Sequence, residues 1–161
     1  MKDKDILKLF LIIGMACLPT VVRKPPAKYF VTIFMINSVF NYFLDNYLVK
    51  KGYLKYPVKL IPGIKHSALY DHLICPLVSV WVCQATYASK LKGILFKSFL
   101  FAVPQAGFEV LAERKTNLIK FQNGWTGIHS FLTVILAKLS LRAFLEVLKR
   151  TTYQRGDRQS T

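Results

Sequence analysis

Apolar residues in this chain fall into five runs, separated by short stretches dense in lysine, arginine, proline and glycine. The runs cover about residues 6–22, 29–49, 67–88, 93–112 and 125–148. A hydrocarbon core of roughly 30 Å takes about 20 helical residues, so four of the five are long enough to cross a bilayer as helices. The first is short, holds Lys8 and meets Pro19 near its end; it either spans or lies in the interface. The second carries Asn37, Asn41 and Asp45 at a spacing of four, which places them on one helix face. The third has Asp71 and His72 near its start and Pro76 a turn later, where proline is tolerated near a helix start and kinks the helix deeper in. The fourth contains Pro104, Gln105 and Glu109, and the fifth opens on Trp125 and then carries His129, Lys138, Arg142 and Glu146.

The pattern predicts an all-α, polytopic transmembrane bundle of about five helices in a single domain, residues 1–150. The polar remainder, 151–161, reads as a disordered tail. Residues 50–65, with two prolines, two glycines and two tyrosines, read as an extended segment along the interface. The expected location is the cell membrane, multi-pass, with the bilayer and anionic lipid head groups as first partners. A homo-oligomer or a membrane-protein partner is the further company such a chain is expected to keep.

Composition agrees. Over 161 residues the hydrophobic fraction is 53% while charged residues still make up 19%, and mean hydropathy is +0.32. A net charge of +15 would suit a nucleic-acid binder. Its distribution argues against that: the basic pairs Arg23-Lys24, Lys50-Lys51, Arg114-Lys115 and Lys149-Arg150 flank the apolar runs, where they meet head groups. For five spans the basic residues divide almost evenly between the two faces, so orientation rests on the four-span count, which places the C-terminus in the cytoplasm. Cys17, Cys75 and Cys83 all lie inside apolar runs and read as small buried hydrophobes rather than a disulfide framework.

Counting spans gathers the chemistry at one end. With five crossings, Asp45, Asp71, His72, Glu109 and His129 all fall roughly 5–9 Å below the same face at 1.5 Å rise per residue. Glu113 and Gln105 share the helix face of Glu109. A carboxylate at that depth costs roughly 2.5–3.5 kcal/mol on insertion scales, so it faces a partner or a cavity. The candidate polar cluster is therefore Asp45, Asp71, His72, Gln105, Glu109, Glu113 and His129. Carboxylates and imidazoles at one depth suit ion binding or proton relay. They also suit hydrogen bonding between helices, with Glu109 paired to Arg114 or Lys115 and Asp45 to Lys50. No catalytic, cofactor-binding or metal-binding motif is present, no cofactor is expected, and an enzyme is the less favoured reading. Lys138 and Arg142 point away from this end, and snorkelling to the opposite interface is expected of them.

The segments Tyr56-Pro57-Val58-Lys59-Leu60, Val103-Pro104-Gln105, Glu113-Arg114-Lys115-Thr116-Asn117-Leu118-Ile119 and Gly124-Trp125…His129-Ser130-Phe131 carry a resemblance. The chain resembles, from about Tyr29 onward, an uncharacterised family of small multi-span membrane proteins from Bacillus- and Clostridium-type spore-forming bacteria. The resemblance implies a bacterial plasma-membrane protein of about five helices and brings no activity, ligand or functional residue. Three functions stay open: a structural or interaction protein, an ion- or proton-binding or transport component built around Glu109, and a membrane enzyme acting on lipid through His129 and Glu109.

Overall fold

The computed structural model describes residues 3–24, 26–58, 67 and 69–158, with side chains up to Thr152. The fold is mostly helical: α1 (Asp3–Cys17), α2 (Ala27–Lys50), α3 (Cys75–Thr86), α4 (Leu91–Lys115) and α5 (Gly127–Arg158). α1 runs on into a 3-10 turn, Leu18–Val21, started by Pro19, and α3 is preceded by a π-turn, Tyr70–Ile74. Pro76 explains that turn. It has no N–H to give to the preceding turn, and the ladder loosens so that Cys75 N–H reaches back five residues to Tyr70 O.

Side-chain contacts fix the direction of every helix. Asp3 Oδ2 accepts from the Asn117 backbone N–H at 3.2 Å, whereas Thr20, beyond the far end of α1, accepts from Trp81 Nε1 and Gln84 Nε2, each at 2.8 Å. The first segment thus runs the full height of the bundle. Phe30, early in α2, meets Tyr87 edge-on, while Leu48 at its other end packs with Leu54 and Ile119. Lys97 of α4 donates to Ala85 O, and Glu109 lies beside Tyr70. Trp125 and Ser130 open α5, and Lys149 closes its apolar stretch at Tyr87 O. The five segments therefore alternate up and down between an end A, which carries the loops after α2 and α4, and an end B.

Those two end-A loops form a small cap. Leu54–Lys55 (β1) pairs antiparallel with Lys120–Phe121 (β2), Leu54 against Phe121 and Lys55 against Lys120. Asn123 and Gly124 turn the chain back at φ 50 and 80, the left-handed region that asparagine and glycine tolerate. Beneath the ribbon, Leu48, Leu54, Tyr56, Ala112 and Ile119 form an apolar layer. The all-α class stands, with this ribbon added where an extended interfacial segment was expected. The pairing joins residues far apart in sequence, which no local pattern encodes. The expectation for residues 59–65 of that segment lies outside the described residues.

α5 continues past Leu148 to Arg158, where a disordered tail was expected. Residues 159–161 of that tail lie outside the described residues. Among the described residues α4 is the one helix both long and apolar enough to cross a membrane by length and composition.

The core is apolar, with Phe30, Ile33, Val80 and Leu145 at most 1% exposed, yet it also takes in polar side chains while large apolar ones lie outside. Asn37, Asp71, Lys138 and Ser98 are at most 3% exposed, while Ile12, Met35, Phe43 and Phe96 are 59–68% exposed. In α2 Asn37 and Asp45 are buried and Asn41 is half-buried on one side, while Val31, Met35, Val39 and Phe43 are exposed on the other.

Candidate functional site

The inward polar residues gather in a chamber near end A that encloses about 80 Å³. α2 contributes Asn37, Asn41 and Asp45, the π-turn Tyr70 and Asp71, α4 Gln105 and Glu109, α5 Ser130 and Lys138, and the cap Tyr56. A run of hydrogen bonds crosses it. Lys138 Nζ donates to Gln105 Oε1 at 2.6 Å, Gln105 Nε2 donates to Tyr70 Oη at 3.1 Å, and Tyr70 Oη–H donates to Glu109 Oε1 at 2.5 Å. On the other wall Tyr56 Oη–H donates to Asp45 Oδ1 at 2.6 Å, and Asn37 Nδ2 donates to Ser79 Oγ at 2.8 Å. Asp45 and Asp71 interact side chain to side chain.

Tyr56 belongs to the cap rather than to a helix. Burial, then the nearby Asp45 charge, push its phenol well above the usual tyrosine range, so it stays a proton donor to Asp45. The cap is therefore tied to the chamber floor by a hydrogen bond as well as by apolar packing.

Three acceptor atoms in the chamber wall have no donor among the described residues: Asn37 Oδ1, Asp45 Oδ2 and Asp71 Oδ2. Their residues are 1%, 7% and 3% exposed. A buried acceptor without a hydrogen bond costs about 1–3 kcal/mol, and more when charged. The chamber volume is enough for roughly two or three waters at about 30 Å³ each. These atoms are thus placed to meet water or a positively charged group. Among the described residues no group of three or more His, Cys, Asp or Glu is arranged to hold a metal ion.

Of the seven residues in the expected cluster, the structure brings together Asp45, Asp71, Gln105 and Glu109. It does not bring in the other three. His72 follows Asp71 directly, and on a helical turn adjacent side chains diverge; it is exposed, hydrogen-bonds Ser38 Oγ at 2.6 Å and stacks on Tyr42. His129 is exposed, sits 5.4 Å from the Trp125 ring and shares a hydrogen bond with Thr126. Glu113 lies a turn beyond the chamber, where its carbonyl accepts from Lys120 Nζ.

Lys138 corrects the snorkelling expectation. It is 2% exposed and reaches into the chamber. Helical side chains lean toward the helix N-terminus, which for α5 is end A, so this lysine leans toward the acids rather than away from them. Its face was legible, since Ser130, Val134 and Lys138 recur at a spacing of four and all line the chamber. Arg142 does point toward end B, but into the bundle: it is 5% exposed and donates to Glu146 Oε2 at 3.0 Å and Thr86 O at 3.4 Å.

Charge is consequently sorted along the bundle. At end B, Lys97, Arg142 and Lys149 donate to the carbonyls of Ala85, Thr86 and Tyr87, the C-terminal turn of α3. At end A, the N-terminal side of the same helix faces Asp71, Asp45 and Glu109. Both arrangements match the α3 dipole, which favours cations at its C-terminus and anions at its N-terminus.

No protein-family model, curated protein or solved structure matches this chain.

Proposed function

We propose that this protein is a small multi-pass membrane protein that binds a positively charged group in its end-A chamber. Membrane residence is supported by the many large apolar side chains on the outside of the bundle, by the length and composition of α4, and by α1 running the full height of the bundle. α2 is 24 residues long, enough for roughly 36 Å at 1.5 Å per residue. The bacterial plasma membrane is the setting we propose for it, on the sequence resemblance alone.

The observation that carries the binding reading is a set of three buried acceptor atoms, Asn37 Oδ1, Asp45 Oδ2 and Asp71 Oδ2, without a donor among the described residues. Polar residues that serve only to join helices satisfy one another, as Asn37 Nδ2 and Ser79 do. Here two carboxylate oxygens and one amide oxygen line a chamber instead. Asp45, Asp71 and Glu109 set three carboxyls beside the single amine of Lys138, so a cationic donor has carboxyl oxygens to meet in the chamber. A lipid-cleaving reading built on Glu109 and His129 lacks geometric support, because His129 stands outside the chamber.

The sequence contains two tryptophans, and Trp125 lines the chamber. A Trp81→Phe protein in nanodiscs leaves Trp125 as the reporter. Titration with methylammonium, and separately with sodium, should change its emission saturably for at least one of them. That change should disappear in Asp71→Asn and Glu109→Gln proteins that insert at normal yield. No saturable response to either probe defeats the proposal.

A further inference from the structure

A second cavity adjoins the chamber. It is a half-open groove of about 300 Å³ between α1, α3, α4 and the cap, at the lower bound of small-molecule sites. Its long wall is apolar, with Leu7 and Phe10 from α1, Val78 and Trp81 from α3, and Phe101 and Phe108 from α4. The Phe10 and Phe108 rings meet edge-on at 4.9 Å, bridging α1 and α4 on its outer side. Polar groups appear at one end, where Tyr56, Tyr70, Gln105 and Glu109 line this cavity and the acidic chamber alike. The two spaces thus share one wall, apolar on one side and carboxylate-rich on the other.

From this we infer that the ligand is a lipophilic monocation: a single hydrocarbon body held in the apolar cavity, with its positive head at Glu109 facing Asp45 and Asp71. The inference rests on the proposed cation chamber and names the ligand class that chamber serves. Size argues for one chain or a compact apolar body rather than a two-chain lipid. Charge argues against a phospholipid, because a phosphate head would face three carboxyls across the chamber. The acidic cluster is backed by a feature outside it, Asn37 Oδ1, which lines the chamber without a donor among the described residues on a side chain 1% exposed. Apolar burial supplies little discrimination within a membrane, since lipid tails are equally apolar. Selection therefore comes from the head, and the cavity sets the shape of the body.

The two tryptophans separate the two halves of the ligand, since Trp81 lines the apolar cavity and Trp125 the chamber. In a Trp125→Phe protein in nanodiscs, dodecylammonium brominated at its chain end should quench Trp81 saturably. The equally brominated dodecanol should need at least tenfold more, and excess methylammonium should reverse the quenching by the charged probe. Filling the cavity with Val78→Phe should abolish Trp81 quenching while the methylammonium response of Trp125 persists in Val78→Phe/Trp81→Phe. Should Val78→Phe not fold, the comparison of charged and neutral probes decides alone. If Trp125 responds to methylammonium but Trp81 is quenched only in proportion to bulk probe, the chain site is wrong and the cation chamber stands. Equal saturable quenching by the neutral probe overturns the coupling of head to body. Silence of both tryptophans removes both proposals.

Discussion

Removing one oxygen atom tests whether the cap is fastened to the chamber. Tyr56 is 8% exposed and its hydroxyl donates to Asp45 Oδ1 at 2.6 Å. Tyr56→Phe keeps the ring and its packing against Leu48 and Ile119, so only the O–H is lost. Asp45 is then left without its tyrosine donor, because its Oδ2 already has none. A hydrogen bond to a charged acceptor contributes about 1.5–3 kcal/mol, and one between neutral groups about 0.5–1.5. We therefore expect a loss of roughly 1–3 kcal/mol in equilibrium unfolding in mixed micelles, a span set by the charge on Asp45. In an Asp45→Asn background the same change should cost less, giving a coupling above about 0.5 kcal/mol between the two sites. A Tyr56→Phe protein within about 0.3 kcal/mol of the parent would refute the reasoning, as would equal losses in both backgrounds.

Two further outcomes follow from the packing. A Cβ at Gly14 would stand 2.5 Å from Leu73 Cδ2, so Gly14→Leu should push α1 off the π-turn and lower stability by about 1–3 kcal/mol in the same unfolding assay; an unchanged midpoint would mean that α1 does not dock there. Five alternating segments place the two ends of the chain on opposite faces, so in a cysteine-free background Lys4→Cys and Arg155→Cys should react with an impermeant maleimide from opposite sides of sealed vesicles. Labelling from the same side would rule out five crossings.

The sequence pattern reaches the helices and the depth of their polar residues, because both depend on local spacing. Asp45, Asp71, Gln105 and Glu109 could be set at one end by counting spans alone, and the structure brings those four together. What counting lacks is azimuth. His72 and His129 sit at the right height and face outward, and only packing decides that. Lys138 sits lower but leans upward along α5, a direction that comes from helix geometry rather than composition. Tyr56 was hidden for another reason. It enters the site through a ribbon whose two strands are each two residues long and meaningless apart from one another.

If the protein spans a bilayer as proposed, the apolar face of α2 meets lipid and its polar face points inward. Nitroxide scanning of residues 31–47 in proteoliposomes tests it most directly, comparing collisions with oxygen, which concentrates in lipid, and with a water-soluble nickel chelate. A membrane-embedded α2 should give a helical period with oxygen maxima at Val31, Met35, Val39 and Phe43, minima at Ile33, Asn37 and Asp45, and little nickel access at the maxima. High nickel access at Met35, Val39 and Phe43 would contradict it, because α2 would then be facing water.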